Sequence, residues 1–319
     1  MNTDSMSTPT LALCIPAYNA SEFLPRLLRS AADQTIPFDE ILVYNDCSTD
    51  DTAEVAREYG ARVIGGDVNV GCSTGKNRLA DATTCDWIHF HDADDELFPN
   101  FVESARKWMT RGDDAPDIVL FSYEERWDDN GELLGIRSFD DEALMADPIA
   151  YTIKQQINPF LGLYRRSSFL DAGGYDLDPN VLYNEDVAFH CKMARAGLTF
   201  RADPSVTVIN HRVRDSMSQA NGAKCARAHF HVLKKAAERS GPKYYPIVAE
   251  KLWANAGVAG SFLDWETADD AVRLAVELNG RVPAETAGST AFRAVATLAP
   301  RRALRLREQF VRRLRPQLR

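Results

Sequence analysis

The sequence predicts an α/β fold: a mostly parallel sheet flanked by helices, followed by a helical C-terminal extension. Three observations carry it. Short apolar runs alternate with amphipathic helical patterns from Leu11 to about Ile64, the signature of βαβ units. Each of the main runs ends abruptly in polar residues, as strands do where an open sheet presents a crevice. From about Asn221 onward the apolar spacing becomes purely helical.

In order, Leu11–Ile15 is a strand that stops at Pro16-Ala17-Tyr18-Asn19. Ser21 is placed to cap a helix with Phe23, Leu24, Leu27, Leu28 and Ala31 on its apolar face. A second strand, Glu40–Tyr44, runs into Asn45-Asp46-Cys47-Ser48, where Ser48 and Asp51 form a capping-box pattern and Gly60 closes the helix. Ala61–Ile64 is the third strand. Trp87–Phe90 is the fourth, and it empties into Asp92, Asp94, Asp95 and Glu96. Carboxylates packed this closely repel one another, and a hard divalent cation removes the conflict. His89 and His91 alternate onto one side of that strand and are expected to pack behind the acids.

Pro99 precedes a helix with Phe101, Val102, Ala105, Trp108 and Met109 on one face, and Gly112 follows it. Asp117–Tyr123 is a buried strand, and Asn130-Gly131 is a turn joining two extended segments. Asn158–Tyr164 is apolar, a short helix runs from Arg165 to Gly173-Gly174, and Tyr183-Asn184-Glu185-Asp186 opens a helix through Ala196. Val206–Ile209 is strand-like and meets His211. In the C-terminal third, Ala226, Phe230, Leu233 and Ala237 keep helical spacing, and Thr267 with Asp270 is placed to cap a helix ending at Asn279-Gly280.

Composition narrows the function classes. A chain of 319 residues with 45% hydrophobic and 26% charged residues is an ordinary globular protein. A net charge of −9 argues against a general nucleic-acid binder. The charge is uneven, because residues 301–319 hold eight Arg and one Glu. In that segment Ala303, Leu306, Phe310 and Leu314 form an apolar stripe among arginines. Two surfaces suit such a helix: an anionic membrane, or the acidic body of the protein or a partner subunit. The six scattered cysteines form no C-x-x-C pair and read as buried free thiols. The polar start and the lack of a long apolar run make the expected chain cytoplasmic, peripheral at the inner membrane face if the tail binds lipid. Residues 1–9 are expected to be a disordered tail, 10–220 a nucleotide-binding catalytic domain and 221–319 a helical extension.

Two nucleotide motifs are excluded. Gly71 through Lys76 is one spacer short of a P-loop and lacks the hydroxyl residue after Lys, and no G-x-G-x-x-G follows the first strand. What remains is Ile15-Pro16-Ala17-Tyr18-Asn19, Asn45 through Asp50, Asn69-x-Gly71 through Lys76-Asn77, Asp92-Ala93-Asp94-Asp95 and Asn184-Glu185-Asp186. In this order and spacing the segments resemble the inverting glycosyltransferases of family 2, which have the GT-A fold, a Rossmann-like sheet. The resemblance spans roughly residues 10–215.

That resemblance implies a nucleotide-diphosphate sugar as donor, UDP-linked in most members, a divalent metal (Mn²⁺ or Mg²⁺) and a glycan or lipid-linked glycan acceptor. Pro16, Ala17, Tyr18, Asn19, Asp46 and Lys76 would line the nucleotide pocket, with Asp46 on the base. Asp94 would ligate the metal, Asp92 would lie nearer the ribose, and His211 would be a further metal ligand. Asp186 would be the general base and Glu185 its neighbour on the acceptor side. The chain departs from the family at Asn45, where a second acid is usual, at Cys47, where Gly is usual, and at Lys76, where Arg is common. Lys keeps the charge but not the bidentate geometry of Arg. Without the resemblance, Asp186 also fits a plain helix cap and His211 a structural histidine. Two other readings stay open: a sugar-phosphate nucleotidyltransferase, which would want a Gly-rich basic loop after the first strand, and a non-catalytic nucleotide- or glycan-binding subunit.

Overall fold

A computed structural model describes residues 8–214, 221–279 and 290–314. Of the sequence expectations, the tail up to residue 7, the Gly280 stop and the tail arginines Arg315 and Arg319 lie outside it. The chain divides into two compact units: residues 1–148, 157–177 and 192–214 form the first, and 149–156, 178–191 and 215–319 the second.

The first unit is built on one nine-stranded sheet. Its strands are β1 Leu11–Ala17, β2 Glu40–Asn45, β3 Arg62–Gly65, β4 Trp87–Phe90, β5 Glu96–Leu97, β6 Ile118–Trp127, β7 Leu133–Arg137, β8 Gly162–Arg165 and β9 Phe200–Arg212. They lie in the order β3-β2-β1-β4-β8-β6-β9-β5, with β7 paired to β6. The β3-β2-β1-β4 half is parallel, as the alternation of strand and helix dictates. Beyond β4 the sheet is mixed: β8 is antiparallel to both neighbours, and β6 pairs β9 in parallel. Leu11, Leu13 and Ile15 of β1 are fully buried, as are Ala12 and Cys14, because a central parallel strand is covered on both faces.

Helices α1 Leu24–Ala32, α2 Thr52–Glu58, α3 Cys72–Ala82 and α4 Phe101–Met109 supply the crossovers and cover. The apolar faces expected for α1 and α4 bury through Leu24, Leu27 and Leu28 on one and Phe101, Val102 and Ala105 on the other, but Phe23, expected on the α1 face, is exposed. The helix starts differ from expectation. Helix α1 has Phe23 at its N-cap with no side-chain bond, and the Ser21 amide instead donates to Asp50. Ser48 accepts from the Asn19 amide rather than capping α2, and Asp50 accepts from Thr52. In both cases a bond to a neighbouring strand exit displaces the local cap that short-range spacing suggests.

Asn130-Gly131 does turn the β6–β7 hairpin, with Gly131 at φ +70°. Two further helices follow it, α5 Asp141–Ala146 and α6 Pro148–Lys154, and then α7 Arg166–Asp171 and α8 Glu185–Arg195. Gly162 is required for a different reason. A Cβ there would occupy the space of the Tyr164 ring, which is buried and donates its hydroxyl to the Pro159 carbonyl at 3.0 Å.

The second unit is helical: besides parts of α6 and α8 it holds α9 Gly222–Ser240, α10 Tyr245–Ser261, α11 Trp265–Asn279, α12 Thr290–Leu298 and α13 Pro300–Leu314. Ala249, Ala256 and Ala259 of α10 and Ala268, Ala271 and Ala275 of α11 are fully buried. Such small stripes at helical spacing let two backbones approach closely. Asp264, not Thr267, caps α11: its carboxylate accepts from the Thr267 amide and hydroxyl at 3.2 and 2.9 Å. Helix α13 packs through Ala303, Leu304 and Glu308, while Arg305 pairs with Asp269 at 2.7 Å and Arg312 donates to the Ser261 carbonyl at 2.6 Å. Of the stripe read from sequence only Ala303 is buried; Leu306, Phe310 and Leu314 are 57%, 64% and 62% exposed. None of the six cysteines is in a disulfide; Cys14, Cys85 and Cys191 are buried and the other three half-buried.

Gly162→Ala should cost about 1–3 kcal/mol through overpacking against Tyr164. Gly257→Ala, within α10 and facing only the tip of Arg307, should be neutral or stabilise by about 0.5–1 kcal/mol through helix propensity. Urea unfolding of the two variants measures both; equal effects would refute the packing argument.

Candidate active site

Because β1, β2 and β4 are parallel neighbours, their carboxyl ends open on the same side of the first unit. Pro16 and Ala17 close β1, and Tyr18 follows with 55% of its surface exposed. Asn19, at φ +48°, accepts from the Thr49 amide at 2.8 Å, while its own amide donates to Ser48 at 3.0 Å. These bonds lace the β1 exit to the β2 exit. Asp50 sits in the same lacing; burial pushes its pKa up, but hydrogen bonds from Thr52 and Ser21 outweigh this and hold it at about 2. Asp46 is 5% exposed, and its two oxygens accept from the amides of Val70 and Gly71 at 2.7 and 2.8 Å. Charge-assisted bonds of this kind are strong, so Asp46 fastens the Asn69-x-Gly71 segment ahead of α3. A lone pair on each oxygen remains available.

The acids after β4 are each met by a different element. Lys76 of α3, 2% exposed, brings its ammonium to 3.1 Å from Asp92 and stands 5.6 Å from the centre of the Tyr175 ring. Its neighbour Asn77 accepts from the Tyr175 amide at 2.8 Å and occupies the space a side chain on Gly174, at φ +55°, would need. Arg26 of α1 donates to the Asp94 backbone carbonyl and to Asp128 at 2.7 Å. Asp95 is buried and accepts from the Asn210 amide group at 3.0 Å and the His211 amide at 2.8 Å. His211 donates from Nε2 to Glu96 at 3.2 Å, and its Nδ1 lies 3.7 Å from Asp128.

The electrostatics follow. Asp94 faces solvent, yet the protein around it and then the Asp92 charge push its pKa up. Asp95 is pushed well up, by burial first and by Asp94 and Asp92 next, against the bonds from His211 and Asn210. Glu96 is held low, chiefly by its bond from His211.

Behind the acids the two strand histidines point the same way, as alternation requires, and both are fully buried. His89 Nδ1 lies 2.8 Å from the Gly162 carbonyl and must donate to it. Its Nε2 is therefore an acceptor and takes the Nδ1–H of His91 at 2.9 Å. Burial lowers both pKa values, that of His89 to about 4, so both rings are neutral. They fill the buried layer behind β4.

Glu185 and Asp186 belong to the second unit, in the first turn of α8. The Asp186 carbonyl accepts from His190 Nδ1 at 2.9 Å. Glu185 Oε2 is buried with no hydrogen-bond partner among the described residues, and its charge, after burial, helps raise the Cys225 thiol.

The first unit thus brings together Tyr18, Asn19, Asp46, Lys76, Asp92, Asp94 and His211. Arg26, Asp128 and Asn210 escape sequence reading: none falls within a motif segment, and each has only its charge or amide to mark it. Among the described residues no three metal-ligating side chains converge as a cage. A Mg²⁺ or Mn²⁺ that bridges to phosphate needs only one or two carboxylates and water, and a solvent-facing Asp94 whose pKa is raised by the protein around it and then by Asp92 fits that donor set. His211 is held by Glu96, beside Asp128.

Comparison with known proteins agrees with this geometry. The sequence profile described as glycosyl transferase family 2 matches residues 12–170. The chain is 30% identical over 134 residues to the putative glycosyltransferase EpsH of Bacillus subtilis, covering 40% of this chain and 38% of that protein. It is 29% identical over 197 residues to a PGL/p-HBAD biosynthesis glycosyltransferase of Mycobacterium tuberculosis, covering 58% and 71%. The match to an Escherichia coli relative, the glycosyltransferase YibD, spans 30% of that protein, so the chain spans roughly a third of these first two relatives. Among solved structures, S. aureus TarS 1–349 in complex with UDP-GlcNAc superposes with a TM-score of 0.70 at 16% identity, covering 95% of this chain and 92% of that one. The mannosyltransferase PcManGT from Pyrobaculum calidifontis, in complex with GDP-Man and Mn²⁺, gives 0.59 at 19% identity, covering 96% and 86%. With a GT-A fold, and with the motif residues of the first unit gathered at the carboxyl ends of its parallel strands, the chain belongs to glycosyl transferase family 2.

Proposed function

We propose that the chain moves a sugar from a nucleoside diphosphate donor, UDP-linked in the first instance, to a hydroxyl of a glycan or lipid-linked glycan, with inversion at the anomeric carbon. The observation that carries this is the solvent-facing Asp94 carboxylate, crowded by Asp92 at the exit of β4 and in the same unit as the exposed Tyr18 ring and the Asp46 carboxylate. The Tyr18 ring offers a face for a nucleobase, and the remaining lone pairs of Asp46 suit a base N–H. Asp92, paired with Lys76, is the acceptor for ribose hydroxyls.

A divalent cation held by Asp94, with His211 as a candidate further ligand, would neutralise the charge that develops on the departing diphosphate. Asp186 takes the proton of the acceptor hydroxyl as its oxygen bonds to the anomeric carbon and the bond to the diphosphate breaks. Its place in the first turn of α8 favours the ionised form that a base requires. Glu185 is the neighbouring acceptor-side group. The TarS structure holds UDP-GlcNAc and the Pyrobaculum enzyme holds GDP-Man, so uridine and guanosine diphosphates are the two nucleotides to compare.

Peripheral membrane contact through α13 belongs to the same reading. No helix among the described residues is long and apolar enough to cross a membrane. The exposed Leu306, Phe310 and Leu314 share one face of α13, with exposed Arg302, Arg307 and Arg313 beside them. An apolar stripe bordered by arginines matches an anionic bilayer surface.

With Mn²⁺, UDP should raise the melting temperature of the wild type, as a ligand of the folded state does. Asp94→Ala should abolish that shift. Asp186→Asn should keep it while lowering kcat by about 10²–10⁴-fold; unchanged turnover in Asp186→Asn would remove the base assignment. The raised pKa of Asp94 means that protons compete with the metal at higher pH than at an ordinary carboxylate. Metal-dependent nucleotide affinity should therefore fall as pH is lowered from neutral, whereas a flat profile would exclude Asp94 as ligand. In co-sedimentation, vesicles rich in phosphatidylglycerol should retain the wild type and phosphatidylcholine vesicles should not. Leu306→Glu/Phe310→Glu should weaken that retention by roughly tenfold or more, and equal retention would place the contact elsewhere.

A further inference from the structure

In the second unit a cavity of about 160 Å³ lies between the Pro179–Tyr183 segment and the first turns of α9. Lys224, Arg227, Ala228 and His231 line it from α9, at the i, i+3, i+4, i+7 spacing that puts them on one helix face. No acid lines it. The Lys224 ammonium lies 5.2 Å from the centre of the Tyr183 ring and 3.4 Å from its hydroxyl, and no carboxylate among the described residues comes within ion-pair distance of it. Arg227 pairs at 2.8 Å with Asp264, but that carboxylate is only 9% exposed and also caps α11. The guanidinium side chain stays 59% exposed and has further N–H donors to offer. His231 is kept neutral by partial burial; Asp178 pulls its pKa the other way, and Lys234, Lys235 and Arg227 reinforce the burial. A neutral ring still donates or accepts one bond. Leu182, 51% exposed, forms an apolar wall.

Two features give this cavity a direction. Tyr183 directly precedes the Asn184-Glu185-Asp186 motif, and it is a non-glycine residue at φ +76°, a conformation that costs energy and persists where surroundings enforce it. The cavity is also cationic on a chain of net charge −9, so any attraction for anions there is local.

We propose that this cavity binds a phosphate ester carried by the acceptor, held by Lys224 and Arg227 with the Tyr183 hydroxyl, beside the motif that contains the base. The inference rests on the transferase reading and narrows it to acceptors that bear phosphate.

The test is a chemical-shift titration of the full chain with methyl phosphate and with farnesyl phosphate, without divalent cation. Both esters should bind saturably. Lys224→Ala should weaken binding about tenfold, the loss of one charge-assisted hydrogen bond, and Lys224→Arg should restore it to within about threefold. Asp94→Ala should leave it unchanged. Tighter binding of farnesyl phosphate assigns a lipid-linked source, and equal affinity a soluble one. Absence of saturable binding, or binding unaltered in Lys224→Ala, overturns the site. UDP with Mn²⁺ serves as the control: if it still stabilises Lys224→Ala, the loss is specific to this cavity and the donor reading stands apart from it.

Discussion

The constraint on which the first unit depends is the crowding of negative charge where β4 ends. Asp92, Asp94, Asp95 and Glu96 lie within five residues, and none is answered by a neighbour in sequence. Lys76 comes from α3, Arg26 from α1, and Asn210 and His211 from β9. Each partner meets one acid or its backbone, and Asp94 is the acid that faces solvent, its pKa raised by the protein around it and then by the Asp92 charge. A site that must attract a cation is served by such a residue, because the Asp92 repulsion, which adds to burial in raising its pKa, is removed when a positive charge arrives. The helices around the crevice therefore have two tasks, to cover the sheet and to deliver counter-charges.

The neutral, solvent-free backing of β4 sharpens this. His89 and His91 fill the interior with two rings that carry no charge, tied in sequence from Gly162 through His89 to His91. Phe101 lies 4.0 Å from the His89 ring, centre to centre. A charged residue in that layer would add to or cancel the field at the acids, whereas the neutral His89 imidazole satisfies the buried Gly162 carbonyl without doing either. Gly162, whose carbonyl accepts that bond, has no side chain, and the Tyr164 ring occupies the space one would need.

The second unit solves a different problem. Its core is a set of helices in close contact through alanines, and the residues proposed to act on the acceptor lie at element starts: Asp186 and Glu185 in the first turn of α8, Lys224 and Arg227 in the first turns of α9. Helix α13 is held through Leu304 in the core and through arginines to Asp269 and the Ser261 carbonyl, while Leu306, Phe310 and Leu314 stay out of the core. Burying its Arg-rich face would strand several cations, so the helix keeps that face wet, and the apolar stripe stays wet with it.

The sequence by itself determined the alternation of strand and helix, the parallel half of the sheet and the strand exits that carry Tyr18, Asp46 and Asp92 to Asp94. These depend on apolar periodicity and abrupt polar ends, which are local properties. Helix caps at Ser21, Ser48 and Thr267 were misread, because the bonds of Ser21 and Ser48 reach across to another strand exit and the cap of α11 is Asp264. Only the tertiary structure decided that Lys76 answers Asp92, that Arg26 and Asp128 adjoin the acids, and that residues 178–191 join the C-terminal helices in one unit. It also decided that the stripe of α13 faces outward. The physical reason is common to all of these. A charge or a hydroxyl in sequence has many possible partners, and which one it meets depends on long-range packing that local spacing does not encode.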